Sequence, residues 1–476
     1  LPPGLQCYKW PDGSITQTFD PQSPPCISRW DDSKGNGGAT APGVTGTTIN
    51  VALPVSSATA SWPGLKPIVD FFNAHFQFYG RKINIVPVPS QQADNITTGK
   101  WNNPQFQRAD AAQIAAAKVF ATTDFVDPIP ESATLPVFLD AMVKHKIIAL
   151  NGGDVTPYTS KQAMISGAPY LWSYYPTVDE LMRNVATMTC RQMAGGKAIH
   201  SPDPKLKNTP RKYVIWLPAD TLLGGPLPGL STMQSILKGC GIDAPVVHQP
   251  TGRLYSTEMV GAMSRLKNDG VTTVIFYPYG GNGTPGAPLT TARQIGYRPE
   301  WDVIGWENYN TAYMLNDPPA ETAGAFGIGA WNKQPLQAAL EPWAQAGMSA
   351  GGIDTTLPDA RAFYQEMMLL ASGIQMAGPD LTPETFADAL HKTTFPNPGA
   401  GGPPFYQASV GFPGDDPFMV SDYTAFWLDN RYPGSSVGKS VGANEGNAFC
   451  EAGRGRRWSE GTWPTQDIFY EPGICR

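Results

Sequence analysis

Charge is scarce in this chain: only 16% of its 476 residues are Asp, Glu, Lys or Arg. The shortage is even-handed, 34 basic against 40 acidic side chains for a net −6, so no broad basic field of the kind that binds nucleic acid builds up. The one local cluster, 454–457, reads as a solvated loop. Histidine is rarer still. His75, His145, His200, His248 and His391 form no HxxxH or HxH pair, so neither a metal cluster nor an obvious general base stands out. No apolar run reaches the roughly 20 residues that span a bilayer. A GxSxG elbow is absent, and the two matches to catalytic motifs fail on context. Ser264 and Lys267 fit SxxK but fall on an amphipathic helical pattern. Residues 281–286 fit GxGxxG after a strand, yet Pro285 and Pro288 stop a helix from starting inside that loop. These shortages exclude the usual enzyme constellations, and no cofactor or metal is expected.

The six cysteines, Cys7, Cys26, Cys190, Cys240, Cys450 and Cys475, form no CxxC. An even count allows about 15 connectivities. Their grouping, two near the start, two mid-chain and two near the end, favours Cys7–Cys26, Cys190–Cys240 and Cys450–Cys475. Disulfides place the protein outside the reducing cytosol. The sequence begins without a charged and then apolar leader, so any signal peptide is expected to have been removed already. The expectation is a secreted or cell-envelope protein, peripheral to a membrane at most.

What is present is enough apolar residue, 41%, to bury sizeable cores, over a length that favours two lobes. The 50 glycines and 47 prolines fall largely between periodic segments, as long loops on a rigid scaffold. Residues 47–55 read as a buried strand. In 61–79, Leu65, Ile68, Val69, Phe72 and Phe76 recur at helical spacing. The alternation continues with a strand at 81–89, an Ala-rich helix at 104–120, a short strand at 122–126, a helix at 133–146 and a strand at 147–150. Strands separated by helices imply a parallel, doubly wound sheet. The rhythm restarts after Tyr170 with helices at 178–193, 229–238, 257–269 and 290–295, and strands at 212–217, 245–248, 271–277 and 303–306. Cys190 and Cys240 lie late on the first two of those helices, where a bridge would pin adjacent crossovers.

Residues 36–55, NGGATAPGVTGTTINVALPV, after a cysteine-bearing lead-in, carry a resemblance to the extracellular ligand-binding proteins of the branched-chain amino acid (Leu/Ile/Val-binding) class, especially their longer actinobacterial members. The resemblance covers 37–428 through element order and a few loops. It implies a type I periplasmic-binding-protein fold, α/β, with two doubly wound parallel-sheet lobes joined by a multi-strand hinge. Lobe one would hold 42–168 and 332–395, lobe two 169–331 and 396–429. Disulfide-stapled extensions would occupy 1–41 and 430–476. The glycine-rich run at 324–331 would cross back to lobe one, helices at 359–375 and 383–391 would complete it, and a last crossing near 395–411 would lead to a strand at 422–428.

In open α/β sheets ligands bind outside the carboxyl ends of the strands, and the loops there supply the candidate site. Trp62 resembles the family's cleft-lining aromatic, although a Trp at a helix head also simply packs. Counting back from the HKIIALNGG run at 145–153 places Ser132 where the family holds a ligand carboxylate; a plain N-cap is the bland alternative. Asn151, Gly152, Gly153 and Asp154 offer bare backbone for ligand contacts, or a tight glycine turn. Tyr277 and Tyr279 match the family's aromatic position, and Glu307 with Asn308 its acidic one, a carboxylate that would pair a ligand ammonium. There is one departure: residues 218–225 lack the tyrosine that many relatives carry near Leu222. The implied function is capture of an amino acid or related amine-bearing metabolite in an interlobe cleft for an ABC-type importer, with a permease as partner and no reaction catalysed. The alternative is a ligand-sensing or cell-envelope interaction protein on the same fold.

Overall fold

The computed structural model of the protein describes residues 7–57, 62–95, 103–123, 136–150, 159–219, 226–250, 255–278, 287–305, 319–330, 339, 341–354, 360–398, 408–429 and 448–472. The chain divides into two units. Unit 1 comprises Leu1–Pro176, Ala338–Pro398 and Ser409–Ser421; unit 2 comprises Thr177–Gln337, Gly399–Ala408 and Asp422–Arg476.

Unit 1 opens with a two-stranded antiparallel hairpin, β1 (Tyr8–Lys9) and β2 (Ile15–Thr16). Its main sheet is parallel in all its described pairings. It contains β3 (Thr48–Val55), β4 (Lys82–Pro89), β5 (Ala121–Thr122), β6 (Ile148–Leu150) and β7 (Leu171–Trp172), in the order β4-β3-β5-β6-β7. The TINVALPV run makes β3 an inner strand, with Ile49, Val51, Ala52 and Leu53 fully buried, because a parallel strand is covered on both faces. Outermost β4 instead alternates buried Ile83, Ile85 and Val88 with exposed positions. Gly43 lies against the backbone of Val119 and Phe120, where a Cβ would sit 2.1 Å from the Phe120 nitrogen, and its φ of +78° suits glycine alone. The strand β7 was not anticipated; two residues are too few to show a period.

The Pro- and Gly-rich lead-in is fastened to unit 1 by more than its Cys7–Cys26 disulfide. Asp20 is buried and accepts from the Tyr364 hydroxyl (2.9 Å) of helix Ala360–Ala377. Gln375 Nε2 donates to Gln17 Oε1 (3.0 Å), and Gln17 Nε2 to the His75 carbonyl (2.6 Å) of helix Trp62–His75. Burial pushes the Asp20 carboxyl up to about 6, against the pull of the Gln22 amide and the Tyr364 hydroxyl.

Unit 2 is built on β8 (Tyr213–Leu217), β9 (Val246–His248), β10 (Thr273–Phe276), β11 (Glu300–Gly305) and β12 (Ala325–Gly329), parallel in the order β9-β8-β10-β11-β12. On one face Trp216, Met263, Phe276, Trp301, Val303 and Phe426 share a core. Three further strands run antiparallel: β13 (Asp422–Asp429) on β12, and β14 (Ala448–Glu451) and β15 (Arg457–Ser459) both on β13. The tail beyond 430, which the sequence left unread, therefore lengthens the sheet. Parallel neighbours need a crossover, whereas β13 is entered from the Ser409–Ser421 segment of unit 1.

The second bridge, Cys190–Cys240, joins helix Val178–Met193 to residue Cys240, which closes helix Leu230–Gly239. Cys450 is also disulfide-bonded; its expected partner Cys475 lies outside the described residues. At the amino ends of β8, β10 and β11, Arg211 grips Glu300 through two bonds (2.8 and 2.9 Å), and Thr273 Oγ1 donates to the same carboxylate (2.7 Å). A buried pair so saturated is paired rather than stranded. Among the described residues no helix is long and apolar enough to cross a membrane.

Candidate functional site

The carboxyl ends of the parallel strands are where chemistry is expected, and each unit builds its own. In unit 1 the apolar run of β3 gives way to Ser56 and Ser57. Both hydroxyls donate to Asp94 Oδ1 (2.9 and 2.8 Å), as does the Ser57 amide (2.6 Å). Burial raises the Asp94 carboxyl, but the Ser57 hydroxyl and amide and the Ser56 hydroxyl outweigh it and hold the group below its ordinary range. The end of β4 repeats the device. Ser90 caps helix Gln91–Asp94, and buried Asp110 accepts from Ser90 Oγ (2.7 Å), the Gln91 amide (2.8 Å) and the Gln92 amide (3.1 Å). After β5, the Thr123 amide and hydroxyl both donate to the Ala52 carbonyl (3.0 and 3.2 Å). Three adjacent strand ends are thus locked by side-chain hydrogen bonds, which fixes where the following loops begin.

Trp62 is the first residue of its helix and is half-buried, its ring edge-to-face with Phe363 at 6.5 Å. Apolar packing orients the indole while part of it stays accessible. In unit 2 the end of β8 is tied to β9: the Gln249 amide donates to the Leu217 carbonyl (2.7 Å), and His248 Nδ1 lies 3.0 Å from the Pro218 carbonyl. Tyr277 follows β10, donates its amide to the Trp216 carbonyl (3.0 Å) and has a fully buried side chain. Gly305 ends β11 so close to β12 that a Cβ would meet the Ile328 carbonyl oxygen at 2.2 Å.

Of the residues singled out in the sequence, Trp62 and Tyr277 are therefore described, one in each unit. Ser132, Asn151, Gly152, Gly153, Asp154, Tyr279, Glu307 and Asn308 lie outside the described residues, as do Leu222 and the 281–286 loop. In the chain, Asn151 follows directly on the last residue of β6, and Glu307 comes two residues after the last of β11. The SxxK match is spent structurally: Lys267, in helix Tyr255–Asn268, donates to the Ile295 carbonyl (2.6 Å). Ser56, Ser57, Asp94 and Asp110 were missed. The signals that could have found them are a serine pair directly after an apolar strand and a Ser-x-x-Ala-Asp cap after the next.

No protein-family model matches the chain, and neither does any curated protein. Solved structures do match. One is an ABC-transporter substrate-binding protein from Aeropyrum pernix, with TM-score 0.55 and 12% identity over 88% of this chain and 98% of that one. Another is the leucine-, isoleucine-, valine-, threonine- and alanine-binding protein from Brucella ovis in a closed conformation, with TM-score 0.55 and 11% identity over 88% and 98%. A third is an ABC-transporter solute-binding protein from Rhodopseudomonas palustris HaA2 in complex with p-hydroxybenzoic acid, with TM-score 0.54 and 13% identity over 88% and 98%. At such identities the likeness is one of fold. The chain has the α/β fold of the type I periplasmic binding proteins, with parallel-sheet lobes.

Proposed function

We propose that the protein is an exported solute-binding protein that captures an amino acid or a related amine-bearing metabolite and hands it to an ABC-type importer, without catalysing a reaction. The observation that carries this reading is the pairing of two doubly wound units in a fold shared, over 88% of the chain, with substrate-binding proteins of such importers. The locked strand ends at Ser56, Ser90 and Thr123 support it, since a binding loop needs a fixed start. In this reading the Ser132 hydroxyl and the amides that follow it take the ligand carboxylate. Asn151, Gly152, Gly153 and Asp154 let backbone approach the ligand, Glu307 neutralises its ammonium beside Asn308, and Trp62 and Tyr279 supply aromatic contact, while the buried Tyr277 fixes the start of the loop that carries Tyr279.

The Brucella ovis protein is named for amino acids and the HaA2 protein holds an aromatic acid. A carboxylate is common to both, and the ammonium is what discriminates. Native mass spectrometry of the purified protein, followed by a thermal scan of amino acids, amides, small amines and aromatic acids, tests the proposal. A true ligand stabilises by about 3 kcal/mol at a hundredfold excess over Kd. A hit among aromatic acids alone would discard the amine; a response to sugars or metal ions alone would discard the whole reading.

A further inference from the structure

The β12–β13 ladder ends with Gly329 opposite Thr424. Beyond that pair a side chain takes over from the backbone. Arg457 sits opposite Thr424 on the other flank of β13, as the first residue of β15. Its Nη2 donates to the Ala330 carbonyl (2.7 Å) and to the Asp422 carbonyl (2.6 Å), while Nε donates to Asp422 Oδ1 (2.9 Å). The arginine side chain is 4% exposed and that of Asp422 15%, so these charge-assisted bonds are largely withdrawn from water. The two strands it grips have a particular place in the chain. Asp422 is the first residue of unit 2 after the chain leaves Ser409–Ser421 of unit 1. Ala330 is the last described residue before unit 2 leads on to Ala338–Pro398 of unit 1. Arg457 belongs to neither passage. It comes from the C-terminal extension, which β14 and β15 hold along β13, and Trp458 beside it is 5% exposed and stacked on Trp463 at 5.4 Å.

We infer that Arg457 is a positioning residue for the movement between units. It fastens the outgoing end of β12 and the incoming end of β13 to one another, so that both travel with unit 2. The C-terminal extension thereby sets how readily the protein changes conformation, and ligand affinity with it. That last consequence rests on the solute-binding reading; the fastening does not.

Hydrogen exchange on the full chain without ligand tests the fastening. In Arg457→Met, which keeps the aliphatic stem, peptides spanning 325–330 and 422–426 should exchange about tenfold faster, with β10 unchanged. Asp422→Asn keeps both carbonyl bonds and should give a smaller change in the same places. Exposed Arg454→Met should change nothing. Wild-type exchange in both Arg457→Met and Asp422→Asn overturns the inference, as does an increase spread evenly into β10, which would mark a general loss of stability. Should Arg457→Met not fold, Asp422→Asn decides alone. On a ligand from the scan, Arg457→Met should alter Kd several-fold, and an unaltered Kd beside faster exchange removes the link to affinity. Faster exchange in a protein for which no ligand is ever found leaves the fastening standing and defeats the solute-binding reading.

Discussion

Asp302 sits on β11 with Thr189 Oγ1 donating to its Oδ2 (2.7 Å), and its Oδ1 meets no hydrogen-bond partner among the described residues. Burial pushes this carboxyl from 3.8 up to about 7; Glu300 adds to the rise, while Thr189 and Arg211 oppose it. Below pH 4 the group is protonated in the folded and the unfolded chain alike and has no effect. As pH rises from 4 to 7 the unfolded chain gives up the proton and the folded one keeps it, so stability falls, by at most about 4 kcal/mol, and then levels off. Asp302→Asn should remove that portion of the slope, so denaturant melts of variant and parent should converge or cross as pH rises from 4 to 8. A constant gap across that range would show that Asp302 is charged in the folded state. Glu307 is the opposite case, a carboxylate proposed to await a partner. Glu307→Gln should weaken binding of an ammonium ligand by several kcal/mol without moving the melting point of the free protein. Trp62→Ala should weaken every ligand, charged or not, through lost apolar contact. Calorimetry on a hit from the scan separates the two, and equal affinity in Glu307→Gln takes Glu307 out of the site.

Helices Val178–Met193 and Leu230–Gly239 show what an element needs in order to be read from sequence. Each runs long enough for its apolar residues to trace a face, and the cysteine late in the one and just past the end of the other foretold their contact. How close that contact is could not be foretold: Gly229, with φ +84°, lies where a Cβ would meet the Asp179 Cα at 2.5 Å. The bridge closes 50 residues of sequence, which corresponds to roughly 4 kcal/mol of loop entropy removed from the unfolded chain. Replacing Cys190 and Cys240 together by serine should therefore lower the melting point clearly, and an unchanged melt would show that helix packing alone suffices. The elements that escaped are short. β7 pairs two residues, and β14 and β15 pair four and three; such lengths leave no period to see, and their pairing is set by distant chain. Of the candidate site, the sequence made legible the strand ends that its loops follow. The serine and aspartate locks at those ends were not legible, because Asp94 and Asp110 reach them from later helices.

At the scale of the molecule the two stretches that read as appendages are integral. The lead-in buries Asp20 against Tyr364, and the tail supplies strands and Arg457 to the second sheet. Composition hid this, since Pro, Gly and Ser mark a segment as irregular without saying whether it is fastened. The tail has a further consequence. β13 is eight residues of DYTAFWLD, buried along nearly its whole length, with β14 and β15 covering one flank. A chain stopped at Asp429 would leave that flank's amides and carbonyls unpaired beside Phe426, Trp427 and Leu428, which is a template for edge-to-edge aggregation. Size-exclusion chromatography should then show the shortened protein passing into large assemblies at concentrations where the full chain does not. A shortened chain that elutes as one compact species would mean that the sheet tolerates a bare border. The 47 residues after Asp429 would on this account be a built-in guard against self-templating.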